Sequence, residues 1–580
     1  MMIAALALAV GVGSLHTAPC SVGANRTSAS CGSFTVFEDR FARKGRKISL
    51  HFVLLKAKHP SGHVIAFNPG GPGGSAIADA PLIADGQFLG EMATLRDRYD
   101  VLLLDNRGTG ESGALNCDIA PLDRPYEYFA QGLPDRVIEA CRKTLARRAN
   151  LSLYSTTAAI GDLDDLRQAL GYRKLVLDGG SYGTRLYLAY ARAYPSHVES
   201  LILRGVVPPH FVILPLNAAS GFQSAIAKLF AECHADRPCS RRYPEFEQHF
   251  KDVASRFDRG PVAVPLWIDG ERRFQMVQLS KDVFFARLLE ALYEPDVAAY
   301  LPVIIEHAYR GDYMPLSLLI EEIAQQGASS GARGLNLSVV CAEDIPFLTE
   351  SAIASTSVGT FQGDARVRAL QHACGIWNVH PVSSNFVDPV RTNAPILMID
   401  GTDDPVTPPV YAREALPYLP NAHLMIVRGG SHDSDSPCID AIADRFVRQR
   451  TAAGLNLGGC AASYQRPPFA TTLRYYQVGT APTDDATTRF KSFLARWAQG
   501  YIDRSQLTPA VSKEYSSADA VTLADQLASV GRMYGFELLE SQRTKQGRTY
   551  KWIVRYQGGL MIATIALDRA NRISAMDLSG

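Results

Sequence analysis

The pentapeptide Gly179-Gly180-Ser181-Tyr182-Gly183 sets a serine between glycines, directly after the apolar run Leu175-Val-Leu-Asp178 and directly before the helix-forming stretch Tyr182 to Tyr194. A strand, a tight turn and a helix in that order can hold a serine hydroxyl in a strained, exposed backbone position at the end of a sheet. The helix N-terminus then favours the negative charge that develops there. The chemistry this suggests is nucleophilic acyl transfer. A serine hydroxyl is a poor nucleophile without a base, so a histidine at another strand end is required.

Thirteen histidines are available. The strand-turn-helix is similar to the nucleophile elbow of the α/β-hydrolase fold, in which serine, acid and histidine follow in that chain order. His51, His59 and His63 precede the elbow. His197 ends the helix after it, and His210, His234, His249, His307, His372 and His380 fall in or beside a long insertion. His423 opens the last apolar strand, whereas His432 follows its end in Val427-Arg-Gly-Gly-Ser-His432. His432 is the base expected. The acid is expected from Asp400-Gly-Thr-Asp403-Asp404-Pro405: Asp404, in a turn fixed by the following proline, is preferred, and Asp403 is the alternative.

An acyl intermediate also needs donors for its oxyanion. The Tyr182 N–H is one candidate, and the loop Asn68-Pro-Gly-Gly-Pro-Gly-Gly-Ser75 should supply the other. Pro69 and Pro72 have no N–H to give, which leaves Gly71 and then Gly70. This chemistry calls for no metal and no cofactor. None of the ten cysteines forms a C-x-x-C pair, so the usual zinc-ligand spacing is missing.

These residues need a sheet to position them. Apolar runs at Ile48 to Leu55, His63 to Phe67, Val101 to Asp105, Leu175 to Leu177 and Val198 to Val206 read as strands, several with the continuous apolar character of central parallel strands. Thr156 to Leu170 places Ile160, Leu163, Leu166 and Leu170 on one helical face. Residues 31–208 thus read as the first part of an α/β core. Over residues 209–390 the rhythm turns helical, at Phe222 to Glu232, Tyr243 to Phe257, Lys281 to Tyr293 and Asp296 to Tyr309, as in a cap inserted over the strand ends. Ile396 to Asp400 and His423 to Val427 then complete the core within residues 391–465. Residues 470–580 read as a small α+β domain of the cystatin-like or NTF2-like kind: a helix with Phe490, Phe493, Leu494, Trp497 and Tyr501, then alternating stretches near Tyr550 to Tyr556, Leu560 to Leu567 and Ile573 to Leu578.

Taken together, Asn68-Pro-Gly-Gly-Pro-Gly-Gly, Asp105-Asn-Arg-Gly-Thr-Gly-Glu-Ser112, Gly179-Gly-Ser-Tyr-Gly183, Asp404-Pro-Val-Thr-Pro408 and Gly430-Ser-His432 resemble, in order, the motifs of the proline iminopeptidase and tripeptidyl aminopeptidase family of α/β-hydrolases. The resemblance spans roughly residues 31–465. It implies a Ser-Asp-His triad under a helical cap, and removal of prolyl residues or short peptides from free peptide N-termini. It also implies a cap acid that pairs with the substrate ammonium; Cys341-Ala-Glu343-Asp344 resembles the segment carrying it, which gives that role to Glu343, with Asp344 as alternative. Asn106 departs from the glutamine common in the narrower iminopeptidases, and the C-terminal region lies outside the likeness.

Composition sets the remaining bounds. At 580 residues two or three domains are expected, and 47% apolar with 20% charged residues is ordinary for globular proteins. A formal net charge of +1 offers no field for nucleic acid or anionic lipid, so the expected partner is a peptide or small acyl substrate; oligomeric state is open. The cysteines fall into five neighbouring couples: Cys20 with Cys31, Cys117 with Cys141, Cys233 with Cys239, Cys341 with Cys374, and Cys438 with Cys460. These read as disulfides, and such pairs also look like those of the family's secreted bacterial members. Met1 to Val12 is apolar and too short to span a bilayer, so residues 1–19 read as a signal peptide, although no Lys or Arg precedes the run. No other apolar stretch is long enough to cross a membrane. A secreted or periplasmic serine exopeptidase is expected, with a carboxylesterase as the alternative and a non-catalytic secreted binding protein as the third reading.

Overall fold

The computed structural model describes residues 13–117, 125–211, 213–268, 273–329, 331–432, 434–471, 485–497, 502–515, 517–529, 533–545, 547–556 and 559–579. Two compact units emerge, one made of Met1–Val262, Gln278–Tyr309 and Leu319–Phe469, the other of Ala263–Val277, Arg310–Leu318 and Ala470–Gly580.

The first unit is built on a sheet whose early strands are β1 (Leu15–Val22), β2 (Thr27–Phe37), β3 (Lys47–Leu55), β4 (His63–Asn68), β5 (Tyr99–Leu104), β6 (Leu175–Gly180) and β7 (Val198–Arg204). The chain then leaves for a run of helices interrupted by the hairpin β8 (Val262–Ile268) and β9 (Arg273–Leu279), of which Ala263–Val277 belong to the second unit. It returns in β10 (Ile396–Gly401) and β11 (Ala422–Val427). The spatial order is β1-β2-β3-β5-β4-β6-β7-β10-β11. From β5 to β11 every pairing is parallel, while β1, β2 and β3 form an antiparallel extension joined to β5. Leu15 to Pro19, inside the segment read as a leader, belong to β1; residues 1–12 lie outside the described residues.

Period-two alternation along the central strands supplies two apolar faces. Val64, Ala66, Leu175, Leu177, Leu201, Leu203, Ile396 and Met398 face the helices Thr156–Ala169 and Tyr182–Ala193. Ile65, Phe67, Val176, Ile202, Leu397 and Ile399 face Ile83, Met92, Leu95 and the helix Pro437–Gln449. Helices from the insertion join the first of these cores: Leu335, Leu337 and Val339 of Arg333–Glu343 and Trp377 of Ala365–Trp377 are buried in it. Near-complete burial of such side chains, at about 1.5–3 kcal/mol each, is what fixes the strand ends in space.

All five expected cysteine couples are disulfides. Among the described residues no helix is long and apolar enough to cross a membrane. The hairpin β8–β9 departs from the uninterrupted helices expected after Pro209; Val264 and Leu266 are buried on one side of it, and that alternation marks a strand.

In the second unit the helix Asp485–Trp497 buries Phe490, Phe493, Leu494 and Trp497 with an antiparallel meander. Its strands are β12 (Met533–Thr544), β13 (Gly547–Tyr556), β14 (Gly559–Asp568) and β15 (Ile573–Ser579). Trp552 donates its indole N–H to Thr487 (3.1 Å). Tyr501, expected on this helix, lies outside the described residues.

Candidate active site

Ser181 stands between β6 and the helix Tyr182–Ala193 with φ 52° and ψ −123°, a conformation disfavoured for a residue with a side chain. Its surroundings leave no alternative. A Cβ at Gly179 would lie 2.7 Å from the Gly183 carbonyl, and one at Gly183 would lie 2.6 Å from the Asn68 carbonyl. The crossing of strand and helix therefore needs glycine at both sides. The Ser181 N–H donates to the Arg204 carbonyl (2.8 Å), which ties the turn to β7.

The β10 end supplies a buried turn. Asp404 Oδ1 accepts from the N–H groups of Val406 (2.7 Å) and Thr407 (2.8 Å), and Oδ2 accepts from the Thr407 hydroxyl (2.6 Å). Oδ2 also lies 2.8 Å from His432 Nδ1, so the imidazole is held with Nε2 on its far side. Burial pushes the Asp404 carboxyl up. The charge on His432 and the hydrogen bonds from His432 and Thr407 outweigh burial, and the net position is below the ordinary carboxylate range. Asp403, the alternative, turns elsewhere: its carboxylate accepts from the Thr402 hydroxyl (2.9 Å). Gly205, with φ 62°, packs so closely that a Cβ there would lie 3.2 Å from His432 Cε1, so the end of β7 forms a floor under the imidazole.

The glycine-proline loop crosses the elbow. A Cβ on Gly70 would meet the Gly180 carbonyl at 2.5 Å and Ser181 Cβ at 3.0 Å. The Gly70 N–H is donated to Asn68 Oδ1 (3.0 Å), and Gly71 lies in the wall of the cavity that holds Ser181. Asp105, fully buried, supports this loop by accepting from the Ser75 hydroxyl (2.7 Å), the Ile77 N–H (3.1 Å) and the Glu111 N–H (2.8 Å). That is the physical use of the Asp105-to-Ser112 motif.

Ser181, His432 and Gly71 line one cavity of about 250 Å³. An attacking hydroxyl, an imidazole to take its proton and backbone donors for an oxyanion together can carry out acyl transfer. Three residues not singled out from the sequence share the wall: Arg204, Asp435 and Tyr293. The Tyr293 ring lies 5.0 Å from that of His432, and Ser431 donates to the Leu292 carbonyl (2.5 Å), so the insertion seals against the histidine loop. Arg204 is bonded to Glu91, lies 3.4 Å from Asp178, and sits 3.6 Å from Asp435. Asp435, three residues beyond His432, could have been suspected from its place in that loop; Tyr293 carries no sequence signal.

Glu343 is placed differently from the expectation. It ends the helix Arg333–Glu343, is 1% exposed and does not line the cavity. Its Oε1 accepts from the Thr156 N–H (2.6 Å) and Oε2 from the Thr156 hydroxyl (2.7 Å), which in turn lies 2.7 Å from the Tyr182 hydroxyl. The oxygens expected to meet a substrate ammonium thus accept instead from the start of the helix Thr156–Ala169. Burial raises the Glu343 carboxyl to about 7 against the pull of Arg185 and Thr156. Asp344, the other expected acid, is fully buried and takes a hydrogen bond from Arg185 (2.9 Å).

Comparison with known proteins agrees with this architecture. Serine protease Hip1 of Mycobacterium tuberculosis (strain ATCC 25618 / H37Rv) is 26% identical over 418 residues, spanning 66% of this chain and 77% of that protein. Tripeptidyl aminopeptidase of Streptomyces lividans is 28% identical over 195 residues, 31% of this chain and 35% of its own length. Proline iminopeptidase of Xylella fastidiosa (strain Temecula1 / ATCC 700964) is 27% identical over 201 residues, 35% of this chain and 48% of its own. The family described as alpha/beta hydrolase fold matches residues 63–434, more than half of the chain, and the chain belongs to that family.

Proposed function

We propose that the chain is a serine exopeptidase that hydrolyses peptide bonds near a free N-terminus through an acyl-enzyme. Ser181 attacks the scissile carbonyl while His432 Nε2 takes its proton. Asp404 holds the imidazole tautomer and stabilises the imidazolium, and the N–H groups of Gly71 and Tyr182 receive the oxyanion. His432 then returns the proton to the leaving amine. Water, deprotonated by the same imidazole, breaks the acyl ester and regenerates Ser181. The observation that carries this reading is the Asp404–His432 hydrogen bond of 2.8 Å at a cavity shared with the strained Ser181.

The exopeptidase part is supported by the names of the relatives, a tripeptidyl aminopeptidase and a proline iminopeptidase, and by the cavity itself. Glu343 lies outside the cavity lining, and Asp435, 3.6 Å from Arg204, is the one acid among the cavity's described lining residues; we assign it the contact with the substrate α-ammonium, and Glu343 a positioning role beneath Tyr182. Five disulfides favour an oxidising compartment, so the site of action is secreted or periplasmic.

The test is a panel of Ala-Ala-Pro and Pro arylamides with free and acetylated N-termini, run beside Ser181→Ala. Turnover of the free peptides alone, abolished in the variant, is expected. Equal rates on blocked and free peptides would remove the exopeptidase assignment. Hydrolysis of acyl esters with none of any amide would replace it with an esterase.

A further inference from the structure

A second cavity, of about 150 Å³, lies between the helices Lys281–Ala291, Arg333–Glu343 and Ala365–Trp377 of the insertion and Gly132 and Leu133 of the preceding core segment. Its wall carries three arginines, Arg287, Arg333 and Arg366, against two acids, Glu290 and Asp282. The acids are occupied. Glu290 is bonded to Arg287, and Asp282 accepts from the Ser280 hydroxyl (2.5 Å) and, at 3.4 Å, from the Gly132 N–H. Arg366 forms no hydrogen bond or ion pair among the described residues, and its Nε is buried. A partly buried guanidinium with a donor left unbonded is costly, and a planar carboxylate is the group its fork of donors fits best.

Two contacts tie the surroundings of this cavity to those of the catalytic one. Asn336, in its wall, donates to the carbonyl of Pro72, the residue after Gly71 (3.3 Å). Tyr293, which packs on His432, follows directly on the helix carrying Arg287 and Glu290. The Tyr293 hydroxyl is raised above its ordinary range first by burial and then by the charge of Glu290, and the charges of Arg366 and Arg287 pull it down, so these groups lie close to it.

We propose that this cavity is a carboxylate-binding subsite, centred on Arg366 with Arg287 and Arg333 beside it, that selects anionic peptides for the serine site. The inference rests on the peptidase reading above and adds a second point of recognition. The exopeptidase would read a positive N-terminus at the catalytic cavity and a negative charge further along a short substrate. That charge is either the C-terminal carboxylate of a short peptide or an acidic side chain.

Two readouts test it. In the first, Ala-Ala-Pro-Ala is compared with its C-terminal amide, and Ala-Ala-Pro-Glu-amide with Ala-Ala-Pro-Gln-amide, as substrates by kcat/KM. In the second, the same four peptides compete with a fluorophosphonate probe for Ser181, which reports occupancy whether or not the peptide is cleaved. The anionic member of at least one pair should be preferred by about tenfold or more, the scale of a hydrogen bond to a charged group. Preference in the first pair identifies the C-terminal carboxylate as the ligand, and in the second the side chain. Arg366→Gln should bring that ratio close to one and Arg366→Lys should keep part of it; because each ratio is taken within one preparation, partial misfolding cancels. Equal protection within both pairs by the wild-type protein overturns the subsite, as does a preference that Arg366→Gln leaves intact. Protection without cleavage of any peptide would overturn the peptidase reading and leave the subsite standing.

Discussion

Asp404 and Glu343 are both fully buried carboxylates whose two oxygens are held by a threonine, yet they end on opposite sides of the ordinary carboxylate range. In the turn after β10, Thr407 contributes its N–H and hydroxyl, Val406 adds a second N–H, and His432 adds a chargeable ring at 2.8 Å. At the end of the helix Arg333–Glu343, Thr156 gives the same two kinds of donor, but the nearby cation, Arg185, is hydrogen-bonded to Asp344. Burial is equal, so partners decide. The first carboxylate is kept charged beside a base. The second is left on the edge of protonation, where it can hold a neighbour in place and can do little for charge development at the serine.

The largest break in this comparison is expected from Asp404→Asn. Losing the acceptor for His432 should lower kcat by about 10³–10⁴-fold with little change in KM, measured in steady state on whichever amide or ester is turned over. Glu343→Gln should do much less, and a loss as large as that of Asp404→Asn would mean that both carboxylates serve the serine alike.

The pH dependence of stability has opposite signs at the two sites. For Glu343, held at about 7, the unfolded chain loses its proton first, so the group's contribution to stability falls as pH rises from about 4.5 to about 7. Relative to Glu343→Gln, the wild-type protein should therefore lose up to about 3 kcal/mol between pH 5 and pH 8, read from urea denaturation. Asp404, held below the ordinary range, contributes stability that is already complete above about pH 4 and is lost only as pH falls through its lower value in the folded protein, so it adds no slope over the same window. In turnover, Glu343→Gln leaves one Thr156 donor without an acceptor and should lower kcat about tenfold through misplacement of the elbow. Tyr182→Phe, which removes only the hydroxyl that meets Thr156 and keeps the backbone donor, should stay within about threefold of wild type.

Much of this is legible in the sequence, for reasons that differ from residue to residue. The parallel strands are visible because a strand covered on both faces must be continuously apolar, and β7 stops at Arg204 rather than Val206 because Gly205 turns at positive φ. β1 and β2 give no such signal because Thr27-Ser-Ala-Ser-Cys-Gly-Ser-Phe34 is largely polar and lies near the sheet edge, where pairing and a disulfide take the place of burial. Chain order singles out Ser181 and His432 as the expected nucleophile and base, whereas turn and donor chemistry only rank Asp404 ahead of Asp403 and Gly71 ahead of Gly70. The role expected of Glu343 rests on resemblance, and no spacing in the sequence shows that Thr156, nearly two hundred residues earlier, takes both its oxygens. Tyr293 and Arg204 reach the cavity from separate elements, so only the folded chain brings them to it, whereas Asp435 follows His432 by three residues.

The helix Arg333–Glu343 touches the catalytic core at both ends. Beside its first turn the Ala332 N–H donates to the Gly73 carbonyl (3.0 Å) in the loop that carries Gly71, and in its last turn Glu343 holds Thr156 under Tyr182. The loop of Gly71 and the helix start at Tyr182, to which we assign the oxyanion donors, are thus both braced by a single rod that belongs to the insertion. An insertion braced in this way cannot be exchanged between relatives as a free-standing module: a transplanted cap would change substrate choice and the rate of the chemical step together, unless the loop at Gly73 and the threonine at 156 travelled with it.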